Sequence, residues 1–362
     1  MSRSDAAAAS GRAGPPAWIL LDTKAVLADR RNATTASART STGKDIQVTF
    51  FAADPPRDSY FCLVDGRPDS PLPQLHDAPI GIVPFGGDGF VLAAVKSKRG
   101  YEEDGTYELH VFRSDRGTWA STVLELGSDV CLGPLDKVIA LGGGELGWVN
   151  LRKVILAVDV LGESPKPRVI PLPKLLPTNQ INLLRPMPRC AREYRDVVVC
   201  AADGWIRCVE MEHQVRRVLP EMLDVSSSDV LHDSDLPVNR TAASDCWRKE
   251  SLVHVDDILA NDDTGHTSSL LREMLGGEGD GGDDPALTVK DLMMDVPSLS
   301  IHGGDVVYIM SKVKDTDTKT WAVAVDMGNK TLVEVAPISV QGHGSIGTDY
   351  LSCGLSRYLK TD

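Results

Sequence analysis

Three glycine-rich stretches and a scatter of acids are the residues here whose types and spacing could do chemistry. Gly142, Gly144 and Gly147 spell G-x-G-x-x-G, which in a dinucleotide-binding unit leaves a strand and opens a helix whose N-terminus meets the pyrophosphate. Here WVNLRKVILAVDV follows, β-branched and without helical amphipathicity, so the glycines read as a tight turn between two strands. GGEGDGGDD at 276–284 has the composition of a calcium loop. It lacks both EF-hand acid spacing and the tandem copies of a β-roll, and reads as a solvated acidic linker. GHGSIG at 342–347 is not a nucleophile elbow, because His343 rather than glycine stands two before Ser345. The eight histidines are dispersed, none at metal-ligand spacing, and His110 and His254 alternate with apolar neighbours as edge or outward positions do. That leaves Asp22, Asp159, Asp203 and Asp326, at or beside apolar runs. Gathered at one end of a barrel, they would make an acid/base or carbohydrate site. No residue receives a catalytic, cofactor-binding or metal role from these signals, and no cofactor is expected.

The elements that would position such groups are short strands. Residues 137–173 break into four of them: Val138–Leu141, Leu146–Leu151, Val154–Asp159 and Arg168–Leu172, with Gly and Pro turns between. Trp18–Asp22, Ile46–Ala52, Tyr60–Val64, Gly81–Pro84 and Phe90–Val95 are further strands, and the polar stretch 28–44 reads as a mobile loop. From residue 108 a unit recurs: an apolar strand ending near an acid, a polar turn, then a second apolar strand. It appears at 108–126, 154–172, 205–223 and 321–339. Anchoring on Val111, Val158 and Val209 gives intervals of 47 and 51 residues, and Val325 lies 116 further on. CWRKESLVHVDDIL at 246–259 fills that gap as a further copy. A period near fifty with about four strands per unit is the spacing of propeller blades, and the copies are too many for one sandwich core. The expected fold is all-β: a propeller-like array of four-stranded antiparallel sheets with a short, partly helical acidic insertion. Trp119, Trp148, Trp205, Trp247 and Trp321, near strand starts in the repeats, are expected to pack between blades, with a rim-exposed ligand cage as the alternative.

Composition narrows the function classes. The net charge is −13, yet residues 256–295 hold eleven acidic side chains against two basic ones, so the remainder is nearly neutral. Without a basic field no nucleic-acid partner is expected, and without a long apolar run no membrane partner. Seven scattered cysteines fit buried free thiols in a reducing compartment, cytosol or nucleus. The N-terminus lacks an apolar signal core, and the sequons at Asn32, Asn239 and Asn329 then carry no information. The expected layout is a disordered tail at 1–16, one β domain over 17–359 with its insertion at 256–295, and a short C-terminal end at 360–362. In the insertion, Thr267 or Ser268 caps a helix SLLREML that Gly276 and Gly277 end, and Asp284-Pro285 opens a second, ALTVKDLMM. Leu270, Leu271 and Met274 would dock it on the scaffold. The 276–284 run between them is expected to be mobile. It serves either as a solvated spacer or as a site that steers a basic protein partner.

GWVNLRKVILAVDVL with RVIPLP, PSLSIHGGDVVYIMSKVKDTDTKTWAVAVDMGNKTL at 297–332, LSRYL at 355–359 and the opening PPAWILLD together resemble the plant family of domain of unknown function 1618. Asn150 stands where that family usually has an acid, and Arg152 where it has tryptophan. The resemblance implies a grass-lineage protein with a propeller-like fold, related in style to domains that follow F-boxes. No F-box-like helical segment precedes Trp18, so recruitment to a ubiquitin ligase is not expected. The resemblance brings no catalytic residues with it. The reading is therefore a non-catalytic, propeller-like protein-interaction module with an unknown protein partner. The alternative is an enzyme or carbohydrate-binding propeller built on the four aspartates named above.

Overall fold

The computed structural model describes residues 18–22, 25–39, 45–64, 78–87, 89–97, 106–127, 130–184, 188–215, 227–237, 247–261, 265–274, 288–314, 317, 319–338 and 350–353. The described residues begin with five strands: β1 (Ile19–Asp22), β2 (Val26–Leu27), β3 (Ala36–Arg39), β4 (Asp45–Phe51) and β5 (Asp58–Val64). Four sheets of four strands follow, each ordered along the chain and antiparallel throughout. The first holds β6 (Ile80–Phe85), β7 (Gly89–Ser97), β8 (Thr106–Arg113) and β9 (Thr118–Glu125). The second holds β10 (Lys137–Gly142), β11 (Glu145–Asn150), β12 (Val154–Asp159) and β13 (Arg168–Pro171). After the short helix α1 (Pro177–Asn182), the third holds β14 (Arg195–Val199), β15 (Trp205–Val215), β16 (Ser227–Pro237) and β17 (Arg248–His254). Helices α2 (Val255–Ala260) and α3 (His266–Met274) lead to the fourth: β18 (Met293–Leu299), β19 (Val306–Lys312), β20 (Thr320–Asp326) and β21 (Thr331–Ile338). Last, β22 (Tyr350–Cys353) pairs antiparallel with β1, so strands from both ends of the described chain share one mixed sheet, ordered β22-β1-β5-β4-β3. Successive sheets touch through their first strands, β6 to β10 to β14 to β18 to β22, in a propeller-like ring.

The apolar pattern explains that stacking. A half-buried strand alternates apolar and polar residues, whereas one covered on both faces reads as a continuous apolar run. Residues 155–158 of β12 and all of β20 up to Val325 are buried without a break. Their two faces feed different cores. Leu156 and Val158 meet Val91, Val95 and Leu109 of the first sheet, while Ile155 and Ala157 meet Val197, Ile206 and Cys208 of the third. The third and fourth sheets share the largest core, into which α2 inserts Ile258 and α3 inserts Leu271 and Met274, with Leu270 packed alongside. The mixed sheet closes on the fourth through Leu20, Met310 and Ile338, and Trp18 meets Tyr308 edge-on with ring centroids 5.1 Å apart.

Glycines at two places, one turn and one close approach, are forced by this geometry. Gly142, Gly143 and Gly144 all have positive φ, 91°, 60° and 93°, in the turn from β10 to β11, where a left-handed backbone excludes most side chains. A Cβ on Gly81 would lie 2.9 Å from Val138, so β6 approaches the second sheet closely only because that side chain is missing. The dinucleotide-like fingerprint is thus a strand-to-strand turn, as its sequence context implies.

Several local expectations are corrected. Val111, Val158 and Val325 lie on the third strands of their sheets, but Val209 lies on the second strand of its own, so the 51-residue interval compares unlike positions. Residues 246–259 are no further copy: β17 is the outer strand of the third sheet and runs straight into α2. Nor do residues 288–294 of the second expected helix form one. Thr288 and Asp291 form a capping box around one 3-10 turn, Val289–Asp291, and Met293 then enters β18, where its apolar neighbours are buried by sheet packing. Within 28–44, residues 36–39 form β3 against β4 rather than a loop. Residues 1–16, 276–284, 342–347, 355–359 and 360–362 lie outside the described residues.

Trp148 on β11 is fully buried, and its Nε1 donates to the Pro79 carbonyl at 3.1 Å. Trp148→Ala is expected to cost about 3–5 kcal/mol in denaturant unfolding, as a large-to-small change in a packed core. A loss below about 1 kcal/mol would contradict the position of this strand between two sheets.

Candidate functional site

The four aspartates stand on, or in the turns of, four different sheets. Asp159, the last residue of β12, accepts from the Leu161 and Gly162 amides at 3.0 and 3.2 Å. Asp326, at the same place on β20, accepts from the Asn329 amide and Nδ2 at 2.8 and 2.9 Å. Asp203 accepts from the Trp205 amide at 2.9 Å and from Arg207 Nη2 at 3.1 Å in the turn before β15. Asp22 is buried within β1 of the mixed sheet. Three of the four therefore hold turns of three different sheets, which is ordinary work for a short acceptor side chain. Among the described residues no three His, Cys, Asp or Glu side chains are placed to hold a metal ion. The tryptophans divide: Trp148 and Trp321 are buried between sheets, Trp205 and Trp247 are half-buried, and Trp119 is exposed on an outer strand. His254 is exposed, and half-buried His110 shares a hydrogen bond with Ser121 Oγ at 2.8 Å.

What the structure does assemble is a polar seam where the second, third and fourth sheets meet, with a loop clamped above it. Lys137 of β10 and Asp196 of β14, 5% and 7% exposed, are paired at 2.7 Å, and the other Asp196 oxygen accepts from the Leu299 amide of β18 at 3.1 Å. Arg195, 1% exposed, donates to the Leu151 and Pro173 carbonyls at 3.1 and 2.6 Å. It also stands 3.6 Å from Glu210 Oε2 of β15. Half-buried Arg189 bridges Glu193 and Asp295, and Arg152 Nη2 donates to the Arg189 carbonyl at 2.8 Å. Buried charges in such a place are tolerable only because each has a partner.

Glu210 and Glu212, two apart on β15 and buried, point their carboxylates at the chain leaving β13. Glu210 Oε1 accepts from the Leu176 amide and from Asn179 Nδ2, both at 2.8 Å, and Glu212 Oε1 accepts from the Thr178 amide at 2.7 Å. Asn179, itself 1% exposed, also donates to the Met211 carbonyl at 2.9 Å. Pro177 sits in the first turn of α1, where its fixed φ suits a helix start. The carboxylates thus take up donors that a helix N-terminus leaves unpaired. Beyond this clamp the chain turns outward. Ile181 is 63% exposed and Leu184 85%, with Leu183 exposed between them. The result is an apolar tip on a backbone fixed by buried charge. The Glu-x-Glu within CVEMEH was the one signal of it in the sequence: acids alternating with apolar residues, in a strand covered on both faces, need buried donors.

The fold and this site define a propeller-like β protein whose described polar clusters serve structure and whose apolar tip faces outward. Residues 148–308 match the model of the family described as Protein of unknown function (DUF1618), which is the family the sequence resembles. The matched region contains the clamp, the tip and most of the seam. No curated protein matches the chain.

Two measurements probe the seam. Lys137→Met leaves Asp196 buried and unpaired, and is expected to cost about 3–5 kcal/mol. Adding Asp196→Asn, which keeps an acceptor for the Leu299 amide, recovers a large part of that loss; equal stability of the single and double variants would show that the pair is solvated. The second is pH dependence. Burial pushes the Asp136 carboxyl above the usual carboxylate range, outweighing the Leu151 amide and the Arg152, Arg192 and Lys137 charges, and it raises Glu210 against the pull of Arg195. Such carboxyls hold protons more tightly folded than unfolded. Their contribution is therefore complete below the ordinary carboxylate range and is lost as pH rises through the raised values. Asp136→Asn is expected to flatten that decline in urea midpoints measured across the window; superimposable pH profiles would refute it.

Proposed function

We infer that this protein is a non-catalytic, propeller-like interaction module of the cytosol or nucleus that grips another protein through its apolar tip at 181–184. The observation that carries this reading is the clamp. Ile181 and Leu184 are exposed at 63% and 85%, yet the backbone that presents them is held by two buried glutamates. Single exposed leucines are common on protein surfaces, but a pre-ordered apolar group loses little further entropy on binding, which is the property of an interface anchor. Loops on a rigid β scaffold are also where binding residues concentrate. No helix among the described residues is long and apolar enough to cross a membrane.

The test uses the full chain as bait in an extract of grass tissue, the lineage the resemblance implies. Ile181→Glu with Leu184→Glu is expected to reduce recovery of a specific partner about tenfold or more, with the thermal midpoint unchanged because both side chains already face water. Recovery of the same partners at the same yield would remove the tip from the interface.

A further inference from the structure

The outer strands of the five sheets are protected unequally. Free sheet edges invite pairing, and proteins blunt them with short strands, prolines, charges or covering helices. On the second sheet β13 is four residues long and ends at Pro171, whose carbonyl accepts from Trp247 Nε1 at 2.7 Å. On the third, β17 runs into α2, which lies against it. On the fourth, β21 is covered by α3 and α2, with Lys330 Nζ 2.9 Å from Asp257. On the mixed sheet β3 has four residues and an Arg39–Asp45 ion pair at 2.9 Å. Among the described residues no helix covers the outer strand of the first sheet, β9, and its one charge, Glu125, stands at its end. It runs for eight residues, TWASTVLE, without proline or a basic side chain, and every side chain except Leu124 is exposed.

We propose that β9 is a homotypic docking edge, through which two copies of this chain pair antiparallel about a two-fold axis at Ser121. The pattern of the strand selects a second copy over an unrelated peptide. Its two large exposed apolar residues, Trp119 at 37% and Val123 at 45%, share one face and stand two residues on either side of Ser121. Directly opposed residues of an antiparallel pair point to the same face, so pairing about Ser121 sets Trp119 of each copy against Val123 of the other. Aromatic–β-branched pairs of this kind are among the favourable cross-strand contacts. The same register brings Glu125 opposite Gly117, beside Arg116, so the ends attract. One self-complementary patch repeated by a two-fold axis is the commonest closed assembly. The indole is already seated: it packs on Phe112 with ring centroids 5.5 Å apart, and Phe112 packs on Phe90 at 6.2 Å. An edge of eight residues is about 27 Å long and makes a small interface, so the dimer is concentration-dependent.

Sedimentation equilibrium of the full chain tests this. Expected is a species near twice the 39.0 kDa chain mass at high protein concentration, dissociating on dilution. W119K and V123E are each expected to stay monomeric at the concentration where the wild type is dimeric. An equimolar mixture of the two is expected to dimerise again, because one crossing becomes ammonium against carboxylate while the other stays Trp against Val. A wild-type monomer at all concentrations, dimers that persist in both variants, or a mixture that stays monomeric would each overturn the proposal. If either variant loses the wild-type circular dichroism spectrum, S121D and S121K, which meet on the axis itself, give the same reading alone and mixed. The tip variants of 181–184 lie on a different loop and leave the dimer unchanged, so either idea fails without the other.

Discussion

A sheet that is apolar on both faces is stable only between two others, and a row of such sheets always ends with faces to cover. That constraint governs this fold. β12 and β20 are buried on both sides, so the second and fourth sheets cannot stand at the end of a row. The fourth is covered by a sheet that β22 and the strands β1 to β5 build together. Its antiparallel β1–β22 ladder joins residues 19–22 to residues 350–353, a contact of very long sequence separation. Such a contact is entropically costly to form early in folding. The four local sheets, by contrast, are each made of consecutive strands, so their pairings are short in sequence separation.

Burial alone does not say how one sheet is rotated against the next, because the hydrophobic effect has no direction. The polar seam supplies direction. Lys137 to Asp196 to the Leu299 amide is a chain of contacts across three sheets, and Arg195 ties the third sheet to carbonyls at 151 and 173 of the chain around the second. Replacing such groups by apolar ones of similar shape is often tolerated energetically, so their value lies in fixing a single arrangement. The same logic extends outward: Glu210 serves Arg195 on one oxygen and the Leu176 amide on the other, so the pose of α1 is set by the packing of the sheets beneath it.

What was legible in the sequence, and what was not, follows from the range of each interaction. Strands such as Val154–Asp159 were readable to the residue, because β-branched runs stopped by Gly and Pro are local signals. So was Trp148 as a core residue. The phase of the repeat failed at Val209 because the third strand of its sheet, β16, reads SSDVLHDSDLP and carries no apolar run to align. Within ALTVKDLMM, Thr288 and Asp291 cap a single 3-10 turn rather than a helix, and the packing of β18 then prevails over helix propensity; Asp284 and Pro285, the expected helix start, lie outside the described residues. The seam was invisible for a different reason. Lys137 and Asp196 are 59 residues apart, and nothing local in either strand names the other.

The placement of exposed apolar groups carries the last step. A scaffold that spends its internal acids and bases on its own geometry leaves recognition to what it shows outside. Two of the exposed apolar surfaces among the described residues have a defined geometry: a small clamped tip at 181–184 and the outer strand β9. They suit different partners. A tip needs a cavity to enter, which a different protein can offer. An edge needs another strand, and the spacing of Trp119 and Val123 about Ser121 is met by the same strand reversed. The tip follows the second sheet and is clamped by the third, whereas the edge borders the first, so the two surfaces belong to different parts of the ring.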